Sequence, residues 1–238
     1  MSLYKKGKKM ITIIMPCLNE SKALGKTIDE IPFDSLKEMG YETEVLVVDG
    51  GSSDGSMDIA RDRGAKVLIS ERGYGRQYRF GFEHARGEII ITTDSDGSYP
   101  LSDIARSVKI LNEGNFDFIS VNRFANMSPN SMGIIRRIGN FMLTRLTKLL
   151  FGLSLKDSQS GMWVFRKDAL TKMALTSNGM SLSEEIKIKA FNRLKSLEVP
   201  GSYKPRIGKE KLRPLRDGWG NLSFLIREWK KYSSGKSR

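Results

Sequence analysis

The chain has 238 residues, of which 39% are hydrophobic and 28% are charged, a composition typical of a folded globular protein rather than a disordered one. Its single cysteine, Cys17, excludes an internal disulfide bond, and one cysteine together with one histidine argues against a zinc site. The net charge of +13 predicts an anionic partner, such as a phosphorylated substrate, anionic lipid headgroups or nucleic acid, unless it serves solubility alone.

The N-terminal extension, residues 1–9, is basic and is followed by an apolar run that extends only from Met10 to Met15. This run is too short for a signal peptide, and it is far shorter than the roughly 20 residues of a membrane-spanning helix. No other segment approaches that length. We therefore expect a cytoplasmic protein that is soluble or attached peripherally to a membrane.

Strand and helix patterns alternate along the chain. Short apolar or β-branched runs predict strands at Ile11–Met15, Glu44–Val48, Lys66–Ile69, Ile89–Thr93, Phe118–Val121, Met162–Phe165 and Leu197–Val199. Helical patterns lie near Lys22–Glu30, Ser56–Arg63, Gln77–Ala85, Ser102–Asn112, Asp168–Met173 and Glu184–Leu194. The alternation predicts an α/β fold with a mostly parallel sheet and helices on both faces. We expect one domain, in which residues 10–202 form the main body and residues 203–238 add a basic loop and helix.

Polar clusters directly follow three of the predicted strands, at residues 16–20, 49–55 and 94–97. Because the carboxyl ends of parallel strands form the crevice in which open α/β sheets bind ligands, we expect a ligand site at this edge. Asp94 and Asp96 are two residues apart and point to the same side if the strand geometry persists. They can then hold Mg²⁺ or Mn²⁺ on a diphosphate. A solvated turn after a strand has the same composition and is the alternative.

Residues 133–153 predict a basic amphipathic helix without an acidic residue. One apolar stripe consists of Ile135, Ile138, Met142, Leu146, Leu149 and Leu153. Another side carries Arg137, Asn140, Thr144 and Lys148. Such a helix lies either in a membrane interface, with its apolar stripe toward the lipid, or packed on the protein core.

Positive charge is concentrated in the C-terminal part of the chain. From Lys204 onward, eleven Lys or Arg residues stand against three acidic residues and supply +8 of the net charge of +13. The stretch Arg206–Arg216 is rich in cations and contains Gly208, as expected of a lid that closes over a bound anion. A nucleic-acid-binding protein would explain this charge, but the sequence lacks recognisable single-strand-binding motifs and would leave Asp49, Asp94 and Asp96 without a role.

The order and spacing of these motifs resemble the family 2 glycosyltransferases, which have a GT-A fold. The resemblance is carried by Pro16-x-x-Asn19-Glu20, by Val47-Val48-Asp49-Gly50-Gly51-Ser52-Ser53-Asp54-Gly55, by Ala85-Arg86-Gly87-Glu88, by Asp94-Ser95-Asp96-Gly97 and by Asp157-x-Gln159-Ser160-Gly161-Met162-Trp163-Val164-Phe165-Arg166. A further segment is similar to the signature of the polyprenyl-phosphate (dolichyl-phosphate) hexose synthases and contains Val199, Pro200, Tyr203, Arg206, Gly208, Lys211 and Leu212. The resemblance covers roughly residues 10–220.

The resemblance implies a site for a nucleotide sugar and a divalent metal, Mg²⁺ or Mn²⁺. Asp49 would bind the ribose or base, and the same pocket would be lined by Pro16, Asn19 and Glu20. Asp94 would lie near the ribose and sugar, and Asp96 would bind the metal.

An acidic position near the reacting sugar is also implied. Glu185 matches this position, and the adjacent Glu184 matches it in the other register. The alternative for either glutamate is an acidic residue at a helix N-terminus, after Ser183, where it favours the helix dipole. Ser98 stands where the family often has a glutamine, so a role for that glutamine in metal binding is not expected here.

An acceptor site for a polyprenyl phosphate is implied as well, with Arg123, Arg136, Arg137, Arg206 and Lys211 as the residues that would bind the acceptor phosphate or the diphosphate. The expected reaction is inverting transfer of a hexose from UDP-glucose or a similar donor, or from GDP-mannose, at an anionic membrane surface. A soluble transferase that acts on a sugar hydroxyl, with Glu185 as its base, is the alternative. A basic nucleic-acid-binding protein is the remote alternative, and we expect no nucleic-acid partner.

Overall fold

The computed structural model of the protein describes residues 9–208, 211 and 214–235. Most of the predicted basic extension (1–8), part of the predicted lid loop (209, 210, 212 and 213) and residues 236–238 lie outside the described residues. The strands are β1 (Lys9–Cys17), β2 (Tyr41–Asp49), β3 (Lys66–Ile69), β4 (Ile89–Thr92), β5 (Phe118–Met127), β6 (Trp163–Arg166) and β7 (Ser196–Tyr203). The helices are α1 (Leu24–Asp29), α2 (Phe33–Glu38), α3 (Ser56–Asp62), α4 (Tyr74–His84), α5 (Asp103–Glu113), α6 (Ile134–Phe151), α7 (Ala169–Met173), α8 (Leu182–Arg193) and α9 (Pro214–Ser233).

In the described part of the chain these strands form one sheet in the order β3-β2-β1-β4-β6-β5-β7. β6 runs antiparallel to β4 and β5, and the other neighbouring pairs are parallel. The predicted mostly parallel α/β sheet is therefore confirmed. Because β6 is reversed, it begins at the edge where β4 ends, and Thr92 pairs with Trp163. This reversal brings the segment before β6 beside the acidic residues that follow β4.

Alternating apolar side chains on the strands form a core on each face of the sheet. Ile13 and Ile91 belong to the first core, onto which α1, α2, α3 and α5 pack. Ile14 and Ile90 belong to the second, which is covered by α4, α7 and α8. Helices therefore lie on both faces, as predicted. Of the described helices, α2 is the one that the sequence analysis did not predict.

α6 and α9 pack against each other beside α8, around Phe151, Ile188 and Leu225. The sequence placed Thr144 on a polar side of α6, and the structure corrects this assignment, because Thr144 is buried. Its hydroxyl is 3.1 Å from Ser158 Oγ and accepts a hydrogen bond from Ser158 N, so the inward face of α6 is partly polar.

The opposite face of α6 is apolar and exposed. We call this surface the apolar face of α6, and its residues are Ile134, Ile135, Ile138, Phe141, Met142 and Leu149. Most of the predicted stripe therefore faces away from the core. α9 adds exposed Trp219, Ile226 and Trp229. None of the helices in the described residues combines the length and the apolar character that crossing a bilayer requires.

Candidate active site

A cavity of about 540 Å³ opens at the carboxyl ends of β1 and β4. Eight of the twelve predicted site residues line it: Pro16, Glu20, Asp94, Asp96, Arg123, Arg136, Arg206 and Lys211. Asn19, Asp49, Arg137 and Glu185 are not among its lining residues. The described lining residues include six cationic side chains, with Arg72 and Arg216 added to those predicted, and four acidic ones. The cavity therefore suits a ligand that carries several negative charges.

The acidic end of the cavity lies just after β4. Asp96 is nearly buried, its Oδ1 accepts a hydrogen bond from Ser98 N at 2.9 Å, and its Oδ2 lies 3.5 Å from Arg206 Nη1. Gly97 has a φ of +74°, which allows the sharp turn that follows. Burial and, to a smaller extent, the charge of Asp96 together raise the pKa of Asp94 to about 7. The two carboxylates thus repel each other, as expected of a pair that receives a cation.

Asp49 shapes a loop beside the cavity instead of facing into it. Its side chain is fully buried, and Oδ1 accepts hydrogen bonds from Gly51 N and Ser52 N at 2.8 and 2.7 Å. Ser52 Oγ donates to Asp49 Oδ2 at 2.5 Å and accepts from Asn19 N at 2.7 Å. Asp49 and Asn19 therefore join the ends of β1 and β2 into one rigid wall.

Cys17 and Gln77 lie at the same junction. Cys17 Sγ is 4.0 Å from Ser52 Oγ, and burial together with the charge of Asp49 raises the pKa of the thiol to about 11. Gln77 Nε2 donates to Cys17 O and Val48 O at 2.8 and 2.7 Å, which ties the two strand ends together. The thiol is therefore a packing group, as its lack of a histidine partner indicates.

A strap of residues 204–208 crosses the acidic end of the cavity. Lys204 N donates to Ser98 O and Ile207 N donates to Asp96 O, each at 2.8 Å. Arg206 Nη2 and Lys211 Nζ both bind Glu20 Oε1, at 2.7 and 2.6 Å. The predicted lid cations Arg206 and Lys211 therefore reach the site, where both neutralise Glu20 and Arg206 also contacts Asp96.

Arg123 also lines the cavity, where it is held in a buried ion pair. Its Nε and Nη2 each donate to the carboxylate of Asp157 at 2.8 Å. Burial alone would raise the pKa of Asp157, but the charge and hydrogen bonds of Arg123 lower it to about 2. Tyr203 lies 5.3 Å from the guanidinium, measured to the ring centroid. Arg123 is thus held rigidly as a cation at the cavity wall, and Arg136 in the first turn of α6 lines the same cavity.

Glu184 and Glu185, the two registers left open by the sequence, have different surroundings. Glu185 accepts hydrogen bonds from Thr176 N and Ser177 N and pairs with Lys189 at 2.7 Å, so it anchors the loop before α8. Glu184 Oε1 accepts from Nε2 of Gln159, a cavity residue, at 2.6 Å. Burial raises the pKa of Glu184 well above its usual range. Of the two, Glu184 is the one connected to the cavity.

Tyr74, Gln159 and Gly161 also line the cavity, although none of them was among the predicted site residues. Tyr74 lies between Gly73 and Gly75, and Gln159 and Gly161 precede β6. A Cβ at position 161 would collide with Tyr74 Oη and lie 3.5 Å from Asp94 Oδ1. Position 161 therefore requires glycine, because Tyr74 approaches its backbone too closely for a side chain.

We expect Gly161→Ala to lower the free energy of unfolding by about 1–3 kcal/mol, because the new methyl group must displace Tyr74. Tyr74→Phe in the same chain removes the clashing oxygen and should restore part of the loss. Gly139→Ala on α6 is the control, since a Cβ there meets nothing within 4 Å. Urea denaturation of the variants measures the effect, and equal stabilities for Gly161→Ala and wild type would contradict this packing.

A pH-dependent stability difference is expected for Asp94→Asn. Because the pKa of Asp94 rises from 3.8 in the unfolded chain to about 7, the native state binds more protons between these pH values, and wild-type stability falls as the pH rises. Asparagine does not titrate, so the variant should become progressively more stable than wild type from pH 4 to pH 7, with a constant difference above that. Thermal melts across this range without divalent metal measure it, and a pH-independent difference would refute the assignment.

The sequence matches known proteins along most of its length. Residues 12–173, more than half of the chain, match the family described as Glycosyl transferase family 2. The low-salt glycan biosynthesis hexosyltransferase Agl6 of Haloferax volcanii is 31% identical over 220 residues, 91% of this chain and 53% of that protein. A dolichyl-phosphate hexose transferase of the same organism is 31% identical over 210 residues, 87% of this chain and 89% of that protein. The chain thus spans about half the length of the first relative and most of the second.

Solved structures share the architecture. The glucosyl-3-phosphoglycerate synthase of Mycobacterium tuberculosis, crystallised with Mn²⁺, UDP-glucose and phosphoglyceric acid, has a TM-score of 0.75 and 19% sequence identity. The match covers 93% of this chain and 80% of that chain. At this identity the likeness establishes the fold, and it confirms the predicted GT-A type.

Proposed function

Because this chain belongs to glycosyltransferase family 2, we propose that it is an inverting, metal-dependent enzyme that transfers a hexose from a nucleotide sugar to a polyprenyl phosphate at a membrane surface. UDP-glucose or a related donor is the first candidate, and GDP-mannose is the second. The observation that carries the proposal is that two cations, Arg123 and Arg136, line the cavity, and that Arg136 lies in the first turn of a helix with an exposed apolar face. A phosphate on an apolar chain matches both features.

The acidic end of the cavity suits the donor diphosphate and its metal. Two carboxylates leave several positions of a hard divalent ion for water and phosphate oxygens, and the described residues contain no cluster of three or more His, Cys, Asp or Glu side chains that would enclose the ion. The mutual repulsion of Asp94 and Asp96 favours a cation between them. Asp96, with Asp94 beside it, would hold Mg²⁺ or Mn²⁺, which supplies charge neutralisation for the leaving nucleoside diphosphate.

The protein's own residues would position the two substrates for direct displacement. Arg123 and Arg136 hold the acceptor phosphate, whose oxygen forms a bond to the anomeric carbon while the bond from that carbon to the diphosphate breaks on the opposite side. When the donor binds, Arg206 and Lys211 leave Glu20 and pair with the donor diphosphate instead. A phosphate monoester is already anionic near neutral pH, so no strong base is required, in agreement with Glu185 being held by Lys189 and the loop before α8.

The proposal is tested by incubating the protein with radiolabelled nucleotide sugars, Mn²⁺ or Mg²⁺, and a polyprenyl phosphate. We expect label to pass into the organic phase with one donor and to stay in the aqueous phase when EDTA is added. The matched control acceptor is the corresponding free polyprenol, which lacks the phosphate that Arg123 and Arg136 would bind. Absence of transfer with every donor would contradict the proposal.

A soluble transferase acting on a sugar hydroxyl remains the second candidate. It is favoured by Asp94, whose raised pKa of about 7 would allow the carboxylate to take a proton from a hydroxyl near neutral pH. Label recovered in a water-soluble oligosaccharide, with none in the organic phase, would support this function instead.

Membrane attachment through the apolar face of α6 gives a separate prediction. We expect Ile138→Glu to weaken binding to anionic phosphatidylserine vesicles at least about 10-fold, because an apolar side chain is lost from the interface and a negative charge is added. Ile69→Glu is the matched control, since Ile69 on β3 is 58% exposed and Ile138 is 56% exposed. Vesicle sedimentation measures the binding. An equal loss in both variants would show that charge, not the apolar face, controls attachment.

A further inference from the structure

α8 carries four buried ionisable side chains that form two sets. Glu185 and Lys189 pair with each other, and Lys189 Nζ also donates to Ala174 O at 2.7 Å, away from the cavity. Glu184 and Lys187 instead contact the segment 157–159, which forms part of the cavity wall. One helix thus offers a self-contained ion pair and, beside it, two groups that support the site.

Lys187 is fully buried, and its Nζ donates a hydrogen bond to Asp157 O at 2.6 Å. The carboxylate of Glu198 holds the same segment by accepting hydrogen bonds from Lys156 N and Asp157 N at 2.8 and 3.0 Å. Asp157 in turn binds the guanidinium of Arg123 through two hydrogen bonds. Lys187 is therefore connected to the cavity through a chain of three residues.

The guanidinium of Arg123 keeps hydrogen-bonding capacity for a ligand. Within the described part of the chain, two of its five N–H groups donate to Asp157, which leaves three for an anion in the cavity that Arg123 lines. Bidentate recognition of a phosphate depends on the orientation of this planar group. A small shift of Asp157 would rotate Arg123 and weaken that recognition.

We propose that Lys187 is a positioning residue for the acceptor phosphate, which it serves by fixing Asp157 and, through Asp157, the orientation of Arg123. This inference rests on the proposed function, because it assigns Arg123 to an anionic acceptor. Burying an ammonium group costs more free energy than burying an apolar side chain of similar size, so packing alone would be served better by methionine. Burial lowers the pKa of Lys187 to about 7, while Asp157 opposes this decrease, and the amine donates to Asp157 O in either protonation state.

The test compares Lys187→Met with Lys189→Met, two substitutions on the same helix. The probe is inorganic phosphate or farnesyl phosphate, and its affinity for the protein with Mn²⁺ and UDP is measured by titration calorimetry. We expect Lys187→Met to weaken phosphate binding about 10-fold and to leave UDP binding within about twofold. Lys189→Met should lower the melting temperature, because Glu185 loses its partner, without changing phosphate affinity.

Lys187→Gln keeps an amide donor and should recover part of the phosphate affinity, and it replaces Lys187→Met if the latter does not fold. Equal effects of the Lys187 and Lys189 variants, or a parallel loss of UDP and phosphate binding, would overturn the inference. So would failure of the wild-type protein to bind phosphate. Because the readout is binding, a wild-type protein that binds phosphate but transfers no sugar would contradict the proposed function and not the role of Lys187.

Discussion

Replacement of Asp96 by asparagine is expected to lower sugar transfer by about 10³-fold while the protein remains folded. The amide oxygen of the asparagine can still accept the hydrogen bond from Ser98 N, and Arg206 keeps its ion pair with Glu20. The local structure should therefore stay the same. The amide, however, has no charge to offer a divalent cation, which prefers carboxylate oxygen. Charge that develops on the leaving diphosphate would then be poorly neutralised.

Initial rates at saturating Mn²⁺ and calorimetric binding of UDP with and without metal measure this effect. The matched control is Asp58→Asn, because Asp58 is exposed and pairs with Arg61 on the surface of α3. We expect the control to transfer sugar at the wild-type rate. If Asp96→Asn retained more than about a tenth of that rate, Asp96 would not be a metal ligand, since loss of a principal charge-stabilising group lowers the rate 10²-fold or more.

Replacement of Arg123 by methionine is expected to lower the free energy of unfolding by about 3–5 kcal/mol, because it leaves the carboxylate of Asp157 buried without its partner. This is a large share of the roughly 5–15 kcal/mol that stabilises a typical domain. The same substitution should abolish phosphate binding, so stability and function fall together. The double variant Arg123→Met, Asp157→Asn removes both charges and should recover most of the stability without recovering phosphate binding.

Urea denaturation and phosphate calorimetry of the single and double variants separate these two effects. Arg61→Met is the control for loss of a surface pair, and it should cost less than about 1 kcal/mol because Asp58 remains solvated. A single variant as stable as the control would show that the buried pair contributes little. If the double variant bound phosphate as well as the wild-type protein does, Arg123 would not be part of the acceptor site.

Local sequence patterns predicted the strands and the acidic end of the site, because Asp94 and Asp96 follow β4 directly and strand ends are read from a few adjacent residues. The contributions of Tyr74, Gln159 and Gly161 depend on β6 running antiparallel between β4 and β5, which no local pattern specifies. The sequence could not tell which neighbours the buried side chains would meet.

The positions of individual carboxylates were harder to predict than their presence. Asp49 stands at the end of its strand as expected, yet the backbone of its own loop binds its carboxylate and directs it away from the cavity. Glu184 and Glu185 are adjacent in sequence but lie on different sides of α8, so one contacts Gln159 and the other Lys189. A helical rotation of one residue decides between them, and only tertiary packing fixes that rotation.

The burial of Cys17 has a practical consequence for measuring how the protein meets a bilayer. Cys17 is the chain's only cysteine, and its buried thiol has a pKa of about 11, so it should react slowly with maleimides, which attack the thiolate. A cysteine introduced at Leu149, which is 81% exposed, would then take up a fluorophore alone in an otherwise native background. Quenching of that fluorophore by brominated lipids would report the depth to which α6 enters the membrane.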